Sequence, residues 1–312
     1  METRTIGSLE VSLVGLGCNN FGMRCDEERS AAVVHAALDA GITLFDTADV
    51  YGGTLSEEYL GRALGSRRDE AVVATKFGNQ VGDDPAHEGA SARWITEAVE
   101  ASLRRLGTDR IDLYQQQVPD ETVPIEETQE VLDRLVREGK VREIGSSNFT
   151  AEQIDAAAAL SAERGWAPFV SVQNQLNLVQ RGALKEVVPA AERHGLKVLP
   201  YFPLASGMLT GKYRRGEPAP EGTRMASMPA ERVERAMNDK VFDRVERLTA
   251  FAEARDHTVL ELAFAWLAAL PAMGSVIAGA TRPEQVQANV AAVEWKLTPA
   301  EMAELDGVLQ QG

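Results

Sequence analysis

Apolar residues along this chain alternate between two spacings. Short apolar runs, the pattern of strands buried on both faces, are separated by longer stretches carrying a helical stripe. Residues 5–6 and 9–11 flank the turn signal Gly7-Ser8 and predict an N-terminal β-hairpin. A strand at 13–16 is followed by a helix at 28–40, where Val33, Val34, Ala37 and Leu38 form one stripe and Gly41 supplies the stop. The alternation then repeats. Further strands are expected at 42–45, 71–75, 111–114, 142–146, 170–173, 196–200 and 275–278. Helices are expected at 56–64, 91–106, 125–138, 151–164, 182–194 and from Pro283, with Gly139 and Gly195 as stops.

About eight strand–helix units result, and alternating β and α elements make a parallel sheet. Eight units suit a closed (β/α)8 TIM barrel of the α/β class; a doubly wound sheet is the alternative. The pattern lapses between 201 and 239, a stretch holding several Gly, Pro and Met residues. It reads as a long loop after the seventh strand, of the kind that often serves as a lid. Extra helices are expected at 241–255 and 259–270, before the last strand, and at 299–309, at the C-terminus. No linker divides the chain, so residues 1–312 read as a single barrel domain, a length within the range of that fold.

Charge narrows the partners. Acidic residues number 47 against 32 basic, a formal net charge of −15, which repels nucleic acid and anionic membranes. A small-molecule substrate is the expected partner, and a phosphate-bearing cofactor would need its own cationic site. The longest apolar stretch, near 262–273, is too short to span a bilayer. The N-terminus lacks an apolar signal core, and Cys18 and Cys25 fit neither a CxxC nor a zinc pattern. A cytoplasmic protein with two free thiols and no metal is the default; the sequence does not set an oligomeric state.

In a barrel of this kind the chemistry sits at the C-terminal ends of the strands. Asp46, Lys76, Gln115–Gln117, Ser147, Asn148, Gln173, Asn174, Tyr201 and Gly279–Arg282 all fall at such ends, with Tyr51 on the loop after Asp46. Asp46, Tyr51 and Lys76 come from consecutive strand ends and can converge. A free tyrosine titrates near 10, too high for efficient acid work at neutral pH; a neighbouring ammonium lowers it, and a carboxylate holds that ammonium in place. Singly, each residue has a plainer explanation: a turn cap, a packed ring, a solvated strand end.

The segment GITLFDTADVYGGTLSEEYLGRAL resembles the aldo-keto reductase signature. VVATKFG, RLGTDRIDLYQ, GKVREIGSSNF, VSVQNQLNLV, LPYFPLASGMLTGKY and GATRPEQVQANV match later segments of that family in order. The resemblance runs from about Thr5 to Leu309 and implies a (β/α)8 barrel that reduces carbonyls with NADPH. It implies Tyr51 as general acid, Lys76 as the group lowering its pKa, and Asp46 as the holder of Lys76. It assigns Ser147, Asn148 and Gln173 to the nicotinamide carboxamide and Tyr201 to the face of the nicotinamide ring. Phe202, Pro203, Leu204, Ala205, Ser206, Gly207, Leu209, Gly211 and Lys212 match the pyrophosphate loop. Gly279, Thr281 and Arg282, at a helix start, suit the adenosine 2′-phosphate, and Gln285 and Asn289 the adenine.

One position departs from the family. Where the strand-four motif usually carries histidine, this chain reads DLYQQQVPD, which puts Gln117 there. An amide can donate to a carbonyl oxygen but cannot titrate. His35 and His194 fall in helices far from the rim, His87 in a loop rich in Gly and Asp and His257 between helices, and all four are expected in solvated or structural roles. Family members with other residues here include channel β subunits and steroid double-bond reductases. Three readings follow: a carbonyl reductase, slowed by Gln117; a cofactor-binding regulatory or sensor protein with little turnover; and a reductase of conjugated double bonds or a sugar-pathway intermediate.

Overall fold

The computed structural model describes residues 1–310. Two antiparallel strands, β1 (Thr3–Ile6) and β2 (Leu9–Ser12), form the expected hairpin. The barrel strands are β3 (Val14–Gly17), β4 (Leu44–Asp46), β5 (Val72–Phe77), β6 (Ile111–Gln116), β7 (Val141–Ser147), β8 (Phe169–Gln173), β9 (Lys197–Val198) and β10 (Val276–Gly279). All pair in parallel, in the order β10-β3-β4-β5-β6-β7-β8-β9. Val198 of the two-residue β9 also bridges Met273, its amide donating to Ala272 O and its carbonyl accepting from Gly274 N. This brings β9 to the approach of β10 and draws the sheet into the (β/α)8 barrel.

The helices on the outside are α1 (Glu27–Asp39), α2 (Leu55–Leu64), α3 (Ala92–Leu106), α4 (Ile125–Arg137), α5 (Ala151–Arg164), α6 (Val187–Arg193), α7 (Ala230–Ala236), α8 (Asp239–Glu253), α9 (Val259–Ala269), α10 (Pro283–Ala291) and α11 (Pro299–Gln310). Their starts are set locally. Asp26 and Ser91 accept the free amides of Arg29 and Trp94, and Thr150–Gln153 and Thr258–Glu261 form reciprocal capping boxes. Gly107 and Gly165 take the left-handed conformation that closes α3 and α5.

Two apolar layers result. One lies between the barrel and its helices. The other joins Ile6, Leu9 and Val11 of the hairpin to Leu44, Ala74, Leu113, Leu199 and Ile277 of the strands. The hairpin therefore packs with inward strand residues and leaves the polar groups to the opposite rim.

Several boundaries differ from the sequence expectation. β5, β6 and β7 run on through Lys76, Gln115, Gln116 and Ser147, so these residues lie within strands rather than after them. An apolar run stops at a polar residue, whereas a backbone ladder does not. The helix expected at 182–194 is split into a 3-10 turn, Gly182–Leu184, and α6. Pro189 explains this: lacking an N–H, it is tolerated only in the first turn of a helix, and the chain restarts at Val187 to put it there. The stretch 201–239, read as a loop, contains α7, a short 3-10 segment, Met225–Ser227, and at Ala205–Thr210 a pair of tight turns broken by left-handed backbone at Ser206 and Gly207. Among the described residues no helix is long and apolar enough to cross a membrane.

Candidate active site at the strand-end rim

Lys76 is 1% exposed, and its ammonium is the hub of the rim. Its Nζ donates to Asp46 Oδ2 at 2.7 Å, to Thr47 O at 2.7 Å and to Tyr51 Oη at 3.5 Å. All three of its N–H groups are thus directed. Asp46 ends β4 beside Lys76 on β5, and the turn after β4 carries Tyr51 back over them. That turn is pinned by Thr47 N to Ala74 O and by Asp49 N to Lys76 O. A Cβ at Gly52 would collide with Phe21 O, and its φ is +61°, so the residue after Tyr51 is held to glycine.

The electrostatics modify the expected tuning. Burial raises the Tyr51 phenol, the Lys76 charge lowers it, and the Asp46 charge raises it again. The net direction is upward from the ordinary tyrosine value, so Lys76 acts in the expected sense but burial outweighs it. Tyr51 is consequently protonated at neutral pH. For Lys76, burial pulls downward, but the charges of Asp46 and Tyr51 and their hydrogen bonds win and hold the ammonium protonated.

Two amides complete the surroundings of Asp46. Gln173 Nε2 donates to Oδ1 at 2.9 Å, and Gln115 Nε2 to the same oxygen at 3.3 Å. Gln115 was grouped with the rim by position alone; nothing in the sequence assigned it a task. The register supplies the cue, since Lys76 pairs with Gln115 across β5 and β6.

Beside this centre Gln117, Ser147, Asn148, Gln173 and Tyr201 form one chain of hydrogen bonds, while Gln116 Nε2 donates to Val118 O and Asn174 Nδ2 to Phe149 O. Ser147 Oγ donates to Gln173 O at 2.8 Å. Asn148, at φ +61°, donates from Nδ2 to Gln117 O at 2.8 Å and to Ser147 Oγ at 3.2 Å. Tyr201 Oη donates to Asn148 Oδ1 at 2.9 Å, and its ring meets Phe202 edge-on. Gln117 lies just past β6; its Oε1 is buried without a partner, and no hydrogen bond joins it to Tyr51 among the described residues.

The loop from Phe202 to Lys212 is held in positive φ at Phe202, Ala205, Ser206, Gly207 and Gly211. Successive backbone amides in such conformations form a concave anion site. A Cβ at Gly207 would lie 3.0 Å from Lys212 Nζ, so the glycine lets the ammonium approach the loop. Pro203 is buried and Leu204 half-buried, while Leu209 is in the core with its amide donating to Leu204 O. Sequence reading missed Arg224. Its guanidinium stacks 4.7 Å above the Phe202 ring, burial depresses its pKa, and the neighbouring Arg24 charge depresses it further.

At the start of α10, Arg282 is in extended backbone and Pro283 occupies the first turn. Gln285 Oε1 accepts from Thr281 N at 2.7 Å and from Thr281 Oγ1 at 3.1 Å, which fixes that loop. Gly279 is exposed next to Asn19 and Asn20, and Asn289 is buried. Lys212, Arg224 and Arg282 form no ion pair among the described residues. No histidine contacts Asp46, Tyr51 or Lys76 among the described residues, and three lie beside carboxylates: His87 with Asp84, His194 with Asp155 and His257 with Glu261. His35 contacts Ala63 O.

A (β/α)8 barrel with a buried Asp–Lys–Tyr centre beside an anion-shaped loop is the architecture of an oxidoreductase class, and the comparisons agree. The family model for the aldo/keto reductase family matches residues 13–310, so the chain belongs to that family. It is 35% identical over 309 residues to aldo-keto reductase YhdN of Bacillus subtilis, covering 97% of this chain and 91% of that protein. It is 33% identical over 320 residues to a probable voltage-gated potassium channel subunit beta of Arabidopsis thaliana, covering 99% and 97%. A protein of the same description from Oryza sativa matches equally well.

Proposed function

We propose that the protein is an NADPH-dependent reductase of aldehydes or ketones, working in the cytoplasm. The observation that carries this reading is the hydrogen-bonded Asp46–Lys76–Tyr51 centre, opening beside a loop of left-handed backbone flanked by Lys212 and Arg224, which have no acidic partner among the described residues. Those residues fit a dinucleotide phosphate. Lys212 and Arg224 would neutralise the pyrophosphate over the 202–212 loop. Arg282, with Thr281 at the α10 start, would hold a 2′-phosphate. Gln285 and Asn289 would border the adenine, next to Gly279. Ser147, Asn148 and Gln173 would orient the carboxamide, and Tyr201 would cover the nicotinamide ring.

When bound, the reduced cofactor supplies a hydride to the carbonyl carbon. Tyr51 donates its phenolic proton to the carbonyl oxygen as charge develops there. Lys76 stabilises the tyrosinate left behind, and Asp46 keeps Lys76 aimed through the transfer. A proton from water then restores Tyr51. The phenol holds the proton that reduction needs, and the Lys76 charge offsets part of the acidity that burial takes from it.

Gln117 sets the rate in this account, since its amide can orient the substrate oxygen but cannot share a proton with Tyr51. Titration with NADPH and NADH followed by a carbonyl panel tests the proposal. NADPH should bind more tightly and be consumed, and Gln117→His should raise turnover by about tenfold. Unchanged turnover of every accepted carbonyl in Gln117→His would remove Gln117 from the account. A second reading is favoured by the relatives described as channel beta subunits and by the same non-titrating Gln117. It makes the protein a cofactor-binding regulator. Tight NADPH binding with negligible turnover on the panel would select it.

A further inference from the structure

Gln115 is fully buried on β6, and among the described residues its side chain makes one hydrogen bond, from Nε2 to Asp46 Oδ1. Its Oε1 is buried without a partner. Turning the amide over would set that oxygen against the Asp46 carboxylate, so the ion pair fixes the orientation seen. A buried, unpaired amide oxygen is a cost to folding that a methionine or leucine would avoid. The fold also makes room for this side chain. Gly145 is its partner on β7, where a Cβ would meet Gln115 Cγ at 3.3 Å and collide with Ser171 Oγ.

The Asp46 carboxylate is therefore divided. Lys76 takes Oδ2, and Oδ1 sits between Gln115 and Gln173. Gln173 is the residue that the proposed function also assigns to the nicotinamide carboxamide. Gln115, with no exposed surface, is the donor that a bound cofactor cannot recruit.

We propose that Gln115 is a positioning residue of the reduction: by holding Asp46 Oδ1 it keeps the carboxylate aimed at Lys76 and moderates the negative field that Asp46 exerts on Tyr51. The inference rests on the proposed role of Tyr51. Losing the donor leaves Asp46 freer to turn from Lys76 and exposes Tyr51 to more of its charge. Both changes make the phenol harder to ionise. The other titratable or charged groups facing this centre are Lys76, Cys18, Asp49, Tyr201 and Arg224. They are the same in wild type and variant.

Two substitutions test this. Gln115→Met keeps the volume and removes the donor. Gln115→Glu donates only while its carboxyl holds a proton, because two adjacent carboxylates cannot both ionise without repulsion. A fluorinated tyrosine at position 51, read by its 19F resonance, reports phenol ionisation whether or not the protein turns over. The expected results are an upward shift of that titration in Gln115→Met, with unchanged NADPH affinity and thermal stability equal to wild type or higher. On the carbonyl panel kcat should fall on the order of tenfold with KM unchanged. Gln115→Glu should retain activity at low pH and lose it as pH rises. An unshifted 19F titration in folded Gln115→Met overturns the proposal. An upward shift in a protein that proves inactive on all carbonyls would uphold the role of Gln115 and sink the reductase reading instead.

Discussion

Asp49 offers a test whose size follows from the structure. It lies two residues before Tyr51 and is fully buried, and among the described residues neither carboxyl oxygen meets a partner in good hydrogen-bond geometry, the Val50 amide giving only a lesser pull. Glu57 nearby is already engaged by Thr75 and Arg105. Burial and the Glu57 charge push Asp49 up to about 8 from an ordinary 3.8, against the pull of Arg105. Between those values the folded protein holds a proton that the unfolded chain releases. The stability this contributes is complete below about pH 4 and is lost as pH rises towards 8. Asp49→Asn cannot titrate and escapes that loss. The variant should therefore gain on wild type by about 1.4 kcal/mol per pH unit across the window, reaching about 4 kcal/mol at pH 7. For a chain of this length each pH unit corresponds to roughly 2 °C in Tm. Denaturant unfolding of both proteins at about pH 5.5, 6.5 and 7.5 measures the difference. Constant offsets from repacking the amide cancel in the slope. A difference that stays flat across the window would show that Asp49 is ionised throughout and that the charge count of this cluster is wrong.

Two further predictions concern the rim. Lys76→Met leaves Asp46 as a buried carboxylate without its cation, and should cost about 3–5 kcal/mol in unfolding free energy as well as turnover; chemical denaturation and the carbonyl assay read both. Arg282→Ala should weaken NADPH binding about 10- to 100-fold and leave NADH binding nearly unchanged, as measured by fluorescence titration of each cofactor.

Much of the barrel was legible because its strands are short apolar runs and its helices end in glycine or begin in a capping residue. β1, β2 and α5 are cases where local signals and tertiary packing agree. Legibility ended where polar residues point into the barrel. Lys76 and Gln115 look like strand ends to a hydropathy pattern, yet the ladder pairs them with each other. Pro189 could have flagged the break before α6. α7, by contrast, sits in a stretch of Gly, Pro and Met with no buried face of its own to mark it. Spacing sets Asp46, Tyr51 and Lys76 on consecutive strand ends where they can converge, the family resemblance gives them their roles, and the structure brings them within hydrogen-bonding reach. Gln115 and Arg224 could not be found that way. One acts through register across a strand pair, the other through a long loop folding back onto Phe202.

The central claim is that Tyr51 delivers the proton in carbonyl reduction. The most direct test compares wild type and Tyr51→Phe for NADPH consumption on the same aldehydes, with cofactor affinity measured in parallel. Phenylalanine keeps the ring and removes only the donor. The account predicts unchanged NADPH binding and a fall in kcat on the order of 10²- to 10⁴-fold. Equal turnover in the two proteins would contradict it.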